Sequence, residues 1–120
     1  GFTSGKPWMK VNPNYKKINA KEQLENRDSV FHYYQKLISL RHAHEIIVYG
    51  DFEPLLTDSE SVYAYRRTLN GQTLTVLCNW TDRTVPCALS DERSGTELIS
   101  NYESHRPGFL YPYEARVFLK

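Results

Sequence analysis

The 120-residue chain lacks most of the features that announce a function. It has only two cysteines, Cys78 and Cys87, too few for the disulfide framework of a small secreted domain. It has no excess of either charge. Fifteen Lys and Arg against 14 Asp and Glu leave +1, which gives no electrostatic reason to bind nucleic acid or an anionic membrane. No apolar run approaches membrane-spanning length. No Cys/His cluster has zinc spacing, and His42 and His44, two apart on a predicted helix, point to different faces. There is no G-x-S-x-G elbow to present a serine, and no G-x-G-x-x-G or P-loop to cradle a phosphate. Internal repeats and low-complexity stretches are also missing. The first residue is Gly1 rather than Met, so the N-terminus is expected to be a boundary or processing site in a longer polypeptide. Its lack of a signal peptide then says nothing about compartment.

What is present falls into two parts. Residues 1 to 19 are punctuated by Gly and Pro and keep no period of 3.6 or 2, which predicts an extended, turn-rich segment. It carries Phe2, Trp8, Met9, Val11, Tyr15 and Ile18, more apolar surface than a free tail wants, so it is expected to lie against something. A helical turn is expected around Ala20 to Leu24. Asp28 is the expected N-cap of a longer helix, with Ser29 following it. From Val30 to Ala43, Phe31, Tyr34 and Ile38 form one stripe and Val30, Tyr33, Leu37 and Leu40 the next. His32, Lys36 and Ser39 mark the wet side. This apolar arc is wider than one small sheet requires. Arg41, His42 and His44 sit in the last turn, where cations suit the helix dipole.

After Tyr49 the helical period stops. Strand-like runs follow at Ile46 to Tyr49 with Asp51 to Leu56, then Ser61 to Leu69, Thr73 to Asn79, Thr84 to Leu89, Thr96 to Ser100 and Ala115 to Leu119. Asn70-Gly71 is the strongest hairpin signal in the chain, and Asp82-Arg83 is the expected turn of the next hairpin, which would set Cys78 opposite Cys87. The fold expected is mainly β: an antiparallel β-sandwich over 46–120, preceded over 1–45 by an extended segment and one long helix.

Little here looks like catalysis. Asp51 and Glu53 share one face of a strand, and a glycosidase needs such a pair. It also needs a cleft that desolvates one of them, and these two are expected at a strand edge near Gly50, facing water. Asp58 and Glu60 flank Ser59 in a turn, and Asp91, Glu92 and Arg93 form another polar turn. The cysteines read as small buried side chains, with a disulfide or redox switch as the alternative. Asn79-Trp80-Thr81 fits the N-glycosylation tripeptide. Trp80, Tyr102 and Tyr111 could stack on sugar rings, although aromatics in a β-module are more often core.

Longer stretches carry a resemblance. Gly1 to Tyr15, GFTSGKPWMKVNPNY, closely resembles the segment after the last barrel strand of oligo-1,6-glucosidases, dextran glucosidases and trehalose-6-phosphate hydrolases of glycoside hydrolase family 13. Ser29 to Arg41, SVFHYYQKLISLR, is similar to the last helix of that barrel. Ile47 to Phe52, IVYGDF, is similar to the junction into the C-terminal domain. Leu98 to Tyr102, LISNY, and Leu110 to Ala115, LYPYEA, resemble the end of that domain.

The resemblance implies a parent that is a retaining α-glucosidase with a (β/α)8 barrel and a C-terminal antiparallel β-sandwich. The family uses an Asp nucleophile, a Glu acid/base and a second Asp, all on loops of upstream barrel strands. No position of this chain matches them, so no catalytic, cofactor-binding or metal residue is carried over. The chain is expected to be a non-catalytic C-terminal fragment, 1–45 the tail of the barrel and 46–120 a β-domain that stabilises it. Substrates would be isomalto-oligosaccharides, dextran ends or a related α-glucoside, and sucrose isomerases share this end of the chain. The implied partners are the barrel and, through it, oligosaccharide. The isolated fragment is expected to self-associate through its helix face. The implied location is a bacterial cytoplasm. A carbohydrate-binding module acting through exposed aromatics is the alternative, and a protein-interaction domain the third reading.

Overall fold

The computed structural model describes residues 4–91 and 95–120. The chain divides into two compact units, Gly1–Ser39 and Leu40–Lys120.

The first unit is short helical pieces held by local caps. Asn12 Oδ1 accepts the Asn14 N–H at 3.3 Å and opens a 3₁₀ turn over Pro13–Lys16, where Pro13 occupies a position whose N–H has no helical partner. Asn19 caps α1 (Ala20–Glu25), its Oδ1 accepting the Glu22 N–H at 3.0 Å. Helix α2 (Val30–Ala43) begins in this unit and ends in the next. Its N-cap is Ser29, not the expected Asp28. The buried Ser29 hydroxyl donates to Gln23 O at 2.6 Å and accepts the His32 N–H at 3.4 Å, while Asp28 stays in the preceding turn with its N–H on Asn26 Oδ1. Gln23 Oε1 accepts the next free amide, that of Phe31, at 3.4 Å. Trp8, Met9, Val11, Tyr15, Ile18 and Leu24 are exposed, as are Val30, Phe31, Tyr34, Leu37 and Ile38 on α2.

The second unit is mostly antiparallel sheet. The run Ile46 to Tyr49, expected as strand, is instead a one-turn helix, α3 (Ile46–Tyr49). Four apolar residues fit either period. The helix wins because Tyr49 N–H reaches Glu45 O at 2.8 Å and Gly50 N–H reaches Ile46 O at 3.1 Å. Arg67 then satisfies the helix end, donating Nε to Ile46 O at 3.1 Å and Nη2 to Gly50 O at 2.8 Å.

Five strands form the main sheet: β1 (Asp51–Leu55), β2 (Val62–Leu69), β3 (Gln72–Asn79), β5 (Thr96–Ser100) and β7 (Ala115–Leu119), in the order β1-β2-β3-β7-β5. Asn70 and Gly71 turn the β2–β3 hairpin with φ of 50° and 80°, the left-handed pair a type I′ turn demands. A two-stranded ribbon, β4 (Val85–Pro86) with β6 (Phe109–Leu110), completes the fold.

The second predicted hairpin does not form. Both edges of β3 are already taken, by β2 and β7, so β4 cannot return along it. Nor does the run Thr84 to Leu89 continue as strand. Pro86 cannot donate to a ladder, and Ser90 closes a 3₁₀ turn over Ala88–Asp91 through its N–H and hydroxyl on Cys87 O.

Strand alternation sends alternate side chains to opposite faces of the main sheet. On one face Val62, Ala64 and Leu77 pack with Cys87 and Leu110, and Val85 of the ribbon lies against them. On the other, Leu74 and Val76 pack with Ile46 of α3, joined by Tyr65, Cys78 and Val117. The result is an unequal sandwich: a five-stranded antiparallel sheet closed on one face by a ribbon and on the other by a single helical turn. The two cysteines thus lie on opposite faces, and both are free thiols, so the predicted apposition is corrected.

Candidate functional site

The carboxylates singled out by sequence are scattered. Asp51 and Glu53 are exposed on β1, an edge strand. Glu53 faces Arg66 across the ladder and pairs with it at 3.7 Å. Asp58 and Glu60 are exposed in the turn that follows. Glu92 and Arg93 lie outside the described residues, and Asp91 ends the 3₁₀ turn. Both side chains face water, whereas a retaining glycosidase sets its carboxylates across a cleft. Among the described residues, no group of three or more His, Cys, Asp or Glu could hold a metal ion, and no helix is long and apolar enough to cross a membrane.

The structure does gather a charged cluster that the sequence concealed. Glu114 is 0% exposed. Its Oε2 accepts the Tyr111 N–H at 2.6 Å, and its Oε1 lies 2.8 Å from His105 Nδ1 and 3.8 Å from Arg116 Nε. Arg116 donates Nε to Glu97 Oε2 at 3.0 Å, with Nη2 also 3.0 Å away, and its guanidinium lies 4.6 Å over the Phe118 ring. His105 Nε2 reaches Glu97 at 3.3 Å. The members come from β5, the 101–108 loop, the turn before β7, and β7 itself, so no spacing rule could have assembled them. Every carboxylate here is answered by a cation or a backbone amide. No side chain is poised as a nucleophile, and the arrangement ties a loop to the sheet.

The remaining candidates separate clearly. Asn79 is 3% exposed. Its Nδ2 donates to Arg83 O and Tyr111 O, each at 2.7 Å, and its Oδ1 accepts from Thr81 N–H and hydroxyl at 2.9 and 2.8 Å. The glycosylation tripeptide is therefore the lock of a turn, its amide fully engaged. Tyr102 and Tyr111 are half-buried and pack ring on ring at 5.2 Å, and the Tyr102 hydroxyl donates to Pro112 O at 2.9 Å. Trp80 is 68% exposed and meets the edge of Tyr63 at 6.5 Å. Burial pushes both thiols above the ordinary cysteine range; at Cys87 the Ser90 and Leu89 backbone amides and Arg116 offset part of it. Burial raises the Tyr65 phenol as well.

The alpha amylase catalytic-domain profile matches residues 1–50. The oligo-1,6-glucosidase of Halalkalibacterium halodurans is 46% identical over 127 residues, covering 99% of this chain and 23% of the relative. The trehalose-6-phosphate hydrolase of Escherichia coli is 38% identical over 125 residues, covering 100% and 23%. Among solved structures, trehalose-6-phosphate hydrolase of Bacillus licheniformis superposes with a TM-score of 0.88 at 37% identity over 99% of this chain and 23% of its own. Isomaltulose synthase of a Klebsiella species gives 0.90 at 36% over 100% and 23%. The chain thus spans about 23% of the length of these relatives. Helical residues matched by the catalytic-domain profile are followed at Asp51 by an antiparallel β-module, and this whole succession is shared with the relatives. The chain belongs to the α-amylase family, glycoside hydrolase family 13, as a fragment that carries the family's C-terminal β-domain.

Proposed function

We propose that this chain is the non-catalytic end of a retaining α-glucosidase that acts on isomalto-oligosaccharides, dextran ends or a related α-glucoside, and that its β-domain stabilises the catalytic barrel. The observation that carries this reading is the likeness to an oligo-1,6-glucosidase, which extends over 99% of the chain. The exposed apolar side chains of residues 4–39 support it, because they find no core among themselves. The junction offers a physical route for stabilisation. Ile46 is buried in the sheet's second cluster and Arg67 grips the backbone at Ile46 and Gly50, so the chain entering the β-domain is fixed at its entry point.

Binding of sugar by exposed aromatics is the second reading, favoured only by Trp80, since Tyr102 and Tyr111 are engaged with one another. The isolated chain is also expected to self-associate, because Val30, Phe31, Tyr34, Leu37 and Ile38 leave an apolar stripe in water. The test is direct. The purified chain should give no turnover of p-nitrophenyl α-glucoside at high protein concentration, and no heat with isomaltose, maltose or dextran. Turnover that survives repurification would overturn the non-catalytic assignment. Heat with any of the sugars would favour the binding module. Light scattering over a dilution series reads self-association, and a strict monomer at high micromolar concentration would remove it.

A further inference from the structure

Seven asparagines stand in the chain, and the fold engages most of their side chains. Asn12, Asn19 and Asn26 each accept a backbone N–H two or three residues on. Asn79 is locked among Thr81, Arg83 and Tyr111, and Asn101 bridges Tyr113 O and the Ala115 N–H. Asn14 and Asn70 are the two whose side chains meet no hydrogen-bond partner among the described residues. Asn70 is exposed, and so is Gly71 after it. The Gly71 N–H also has no acceptor among the described residues, as befits the third residue of a type I′ turn.

We infer that Asn70 is a modification site: it deamidates spontaneously through the Gly71 backbone, independently of what the parent enzyme acts on. Hydroxide takes the Gly71 amide proton, and the nitrogen attacks Asn70 Cγ. The bond from Cγ to the side-chain nitrogen breaks, that nitrogen takes a proton from water, and ammonia leaves behind a succinimide. Water then opens the ring. Addition at the side-chain carbonyl gives aspartate, and addition at the backbone carbonyl gives isoaspartate, whose main chain runs through the β-carbon. Nothing is oxidised or reduced, and water is the only other reactant.

Three features select this asparagine. The first is its neighbour. Only Asn70 precedes a glycine, and the others precede Pro13, Tyr15, Ala20, Arg27, Trp80 and Tyr102. A side chain on that next residue crowds the attacking nitrogen, and proline has no N–H to lose. The second is that both reacting groups are free, whereas at Asn14 the following amide, that of Tyr15, already donates to Asn12 O. The third is room to move. Ring closure requires the peptide plane between the two residues to rotate out of the turn. A Cβ built on Gly71 would meet nothing within 4 Å, and the plane lies at the hairpin tip, beyond the last ladder pair, Leu69 with Gln72. Such a tip opens locally at far lower cost than the core.

The two products differ in consequence. Aspartate tolerates the left-handed conformation of Asn70, so it keeps the turn. Isoaspartate adds a main-chain atom to a two-residue loop whose length sets the register. The misfit falls first on Leu69 and Gln72. It falls next on Thr73, whose N–H and carbonyl pair with Lys120 at 2.8 and 2.9 Å.

The experiment incubates the purified chain at mildly alkaline pH, folded and in urea, and follows every asparagine by peptide mapping. Trypsin leaves Asn70 and Asn79 on one peptide, Thr68–Arg83, so fragment masses compare them within one molecule. In the folded chain Asn70 should convert about tenfold faster than any other asparagine, because glycine alone leaves the attacking nitrogen uncrowded. Both products should appear, and the rate should rise with pH. The Asn70→Asp chain should melt as the fresh chain does. The isoaspartate form, separated by chromatography, should exchange the amides of residues 69–73 faster. If Asn70 persists in the folded chain while it converts in urea, the turn holds the plane shut and the inference falls. Conversion led by another asparagine overturns it as well. Aspartate without isoaspartate would mean direct hydrolysis of the side-chain amide and would overturn the route through Gly71.

Discussion

Gly1–Ser39 and Leu40–Lys120 are both rich in apolar residues, yet among the described residues every buried apolar side chain belongs to the second. Among the described residues of the first only Ser29 is buried, and Trp8 is 92% exposed. The difference is one of partners. Caps and short helices satisfy neighbouring amides and bring together residues only a few positions apart. Sheet pairing brings Leu74 against Leu119 and Leu77 against Arg116, so that side chains far apart in sequence close a core. Apolar content alone therefore does not give a region a core of its own. The described residues of the first region expose their apolar side chains, and those of the second close a core around theirs.

The sharpest way to break this contrast is to truncate one leucine in each region. Leu77→Ala, at a site with no exposure, should cost about 3 kcal/mol in the isolated chain, within the range for buried leucines. Leu37→Ala, on the open side of α2, should stay within about 0.5 kcal/mol in the same chain at protein concentrations low enough to keep it monomeric. Urea denaturation followed by far-UV dichroism reads both. Equal costs would mean that the α2 stripe is packed in solution after all.

Slightly smaller effects are expected where the second region is held by charge. Glu114→Gln leaves the Tyr111 amide with a weaker acceptor and leaves His105 and Arg116 without their buried anion. The expected cost is about 2 kcal/mol in urea midpoints, with m unchanged. A neutral substitution would mean that the cluster contributes nothing net, as some buried ion pairs do.

What was legible followed from local chemistry. The α2 pattern, the Asn70-Gly71 turn and the five strands of the main sheet could be read because period and turn residues act within a few positions. The β4–β6 ribbon could not, since two-residue strands carry no period, and the Phe109–Leu110 strand was missed altogether. The Ile46–Tyr49 helix was misread because four apolar residues fit either period, and Arg67, which satisfies the helix end, lies 21 residues from Ile46. The Glu97, His105, Glu114 and Arg116 cluster was invisible for the same reason. Of Trp80, Tyr102 and Tyr111, the three aromatics the sequence singled out, only Trp80 is exposed, and Tyr63, also exposed and 6.5 Å from it, needed the sheet to bring it alongside.

The hairpin turn offers a finer test within the second region. Asn70 has φ 50°, a conformation that asparagine tolerates better than alanine. Asn70→Ala should cost about 1 kcal/mol, and Asn70→Gly should be close to neutral. Both are read from thermal melts. An alanine variant as stable as the parent would mean that the β2–β3 register does not depend on this turn.

The smallest expected effect concerns the thiols, which only the second region possesses. Burial pushes both above the ordinary range, so each stays neutral in the folded chain at pH values where the unfolded chain has begun to ionise. The sign follows from proton binding. Above the unfolded thiol value of about 8.5 the unfolded state holds fewer protons than the folded one, so stability falls as pH rises, until the folded thiols ionise as well. Below that value their contribution is complete. Urea midpoints should therefore drop between neutral and alkaline pH in the parent by more than in a Cys78→Ala, Cys87→Ala chain. Labelling with a disulfide reagent gives the companion measurement. Cys78, half-buried, should react before Cys87, which is 3% exposed, and both should react quickly in urea. Mild oxidation should leave them unpaired, because they occupy opposite faces of the sheet. Rapid formation of an intramolecular disulfide in the native chain would mean that β3 and the ribbon exchange places in solution, and the compact half of the comparison would lose its fixed core.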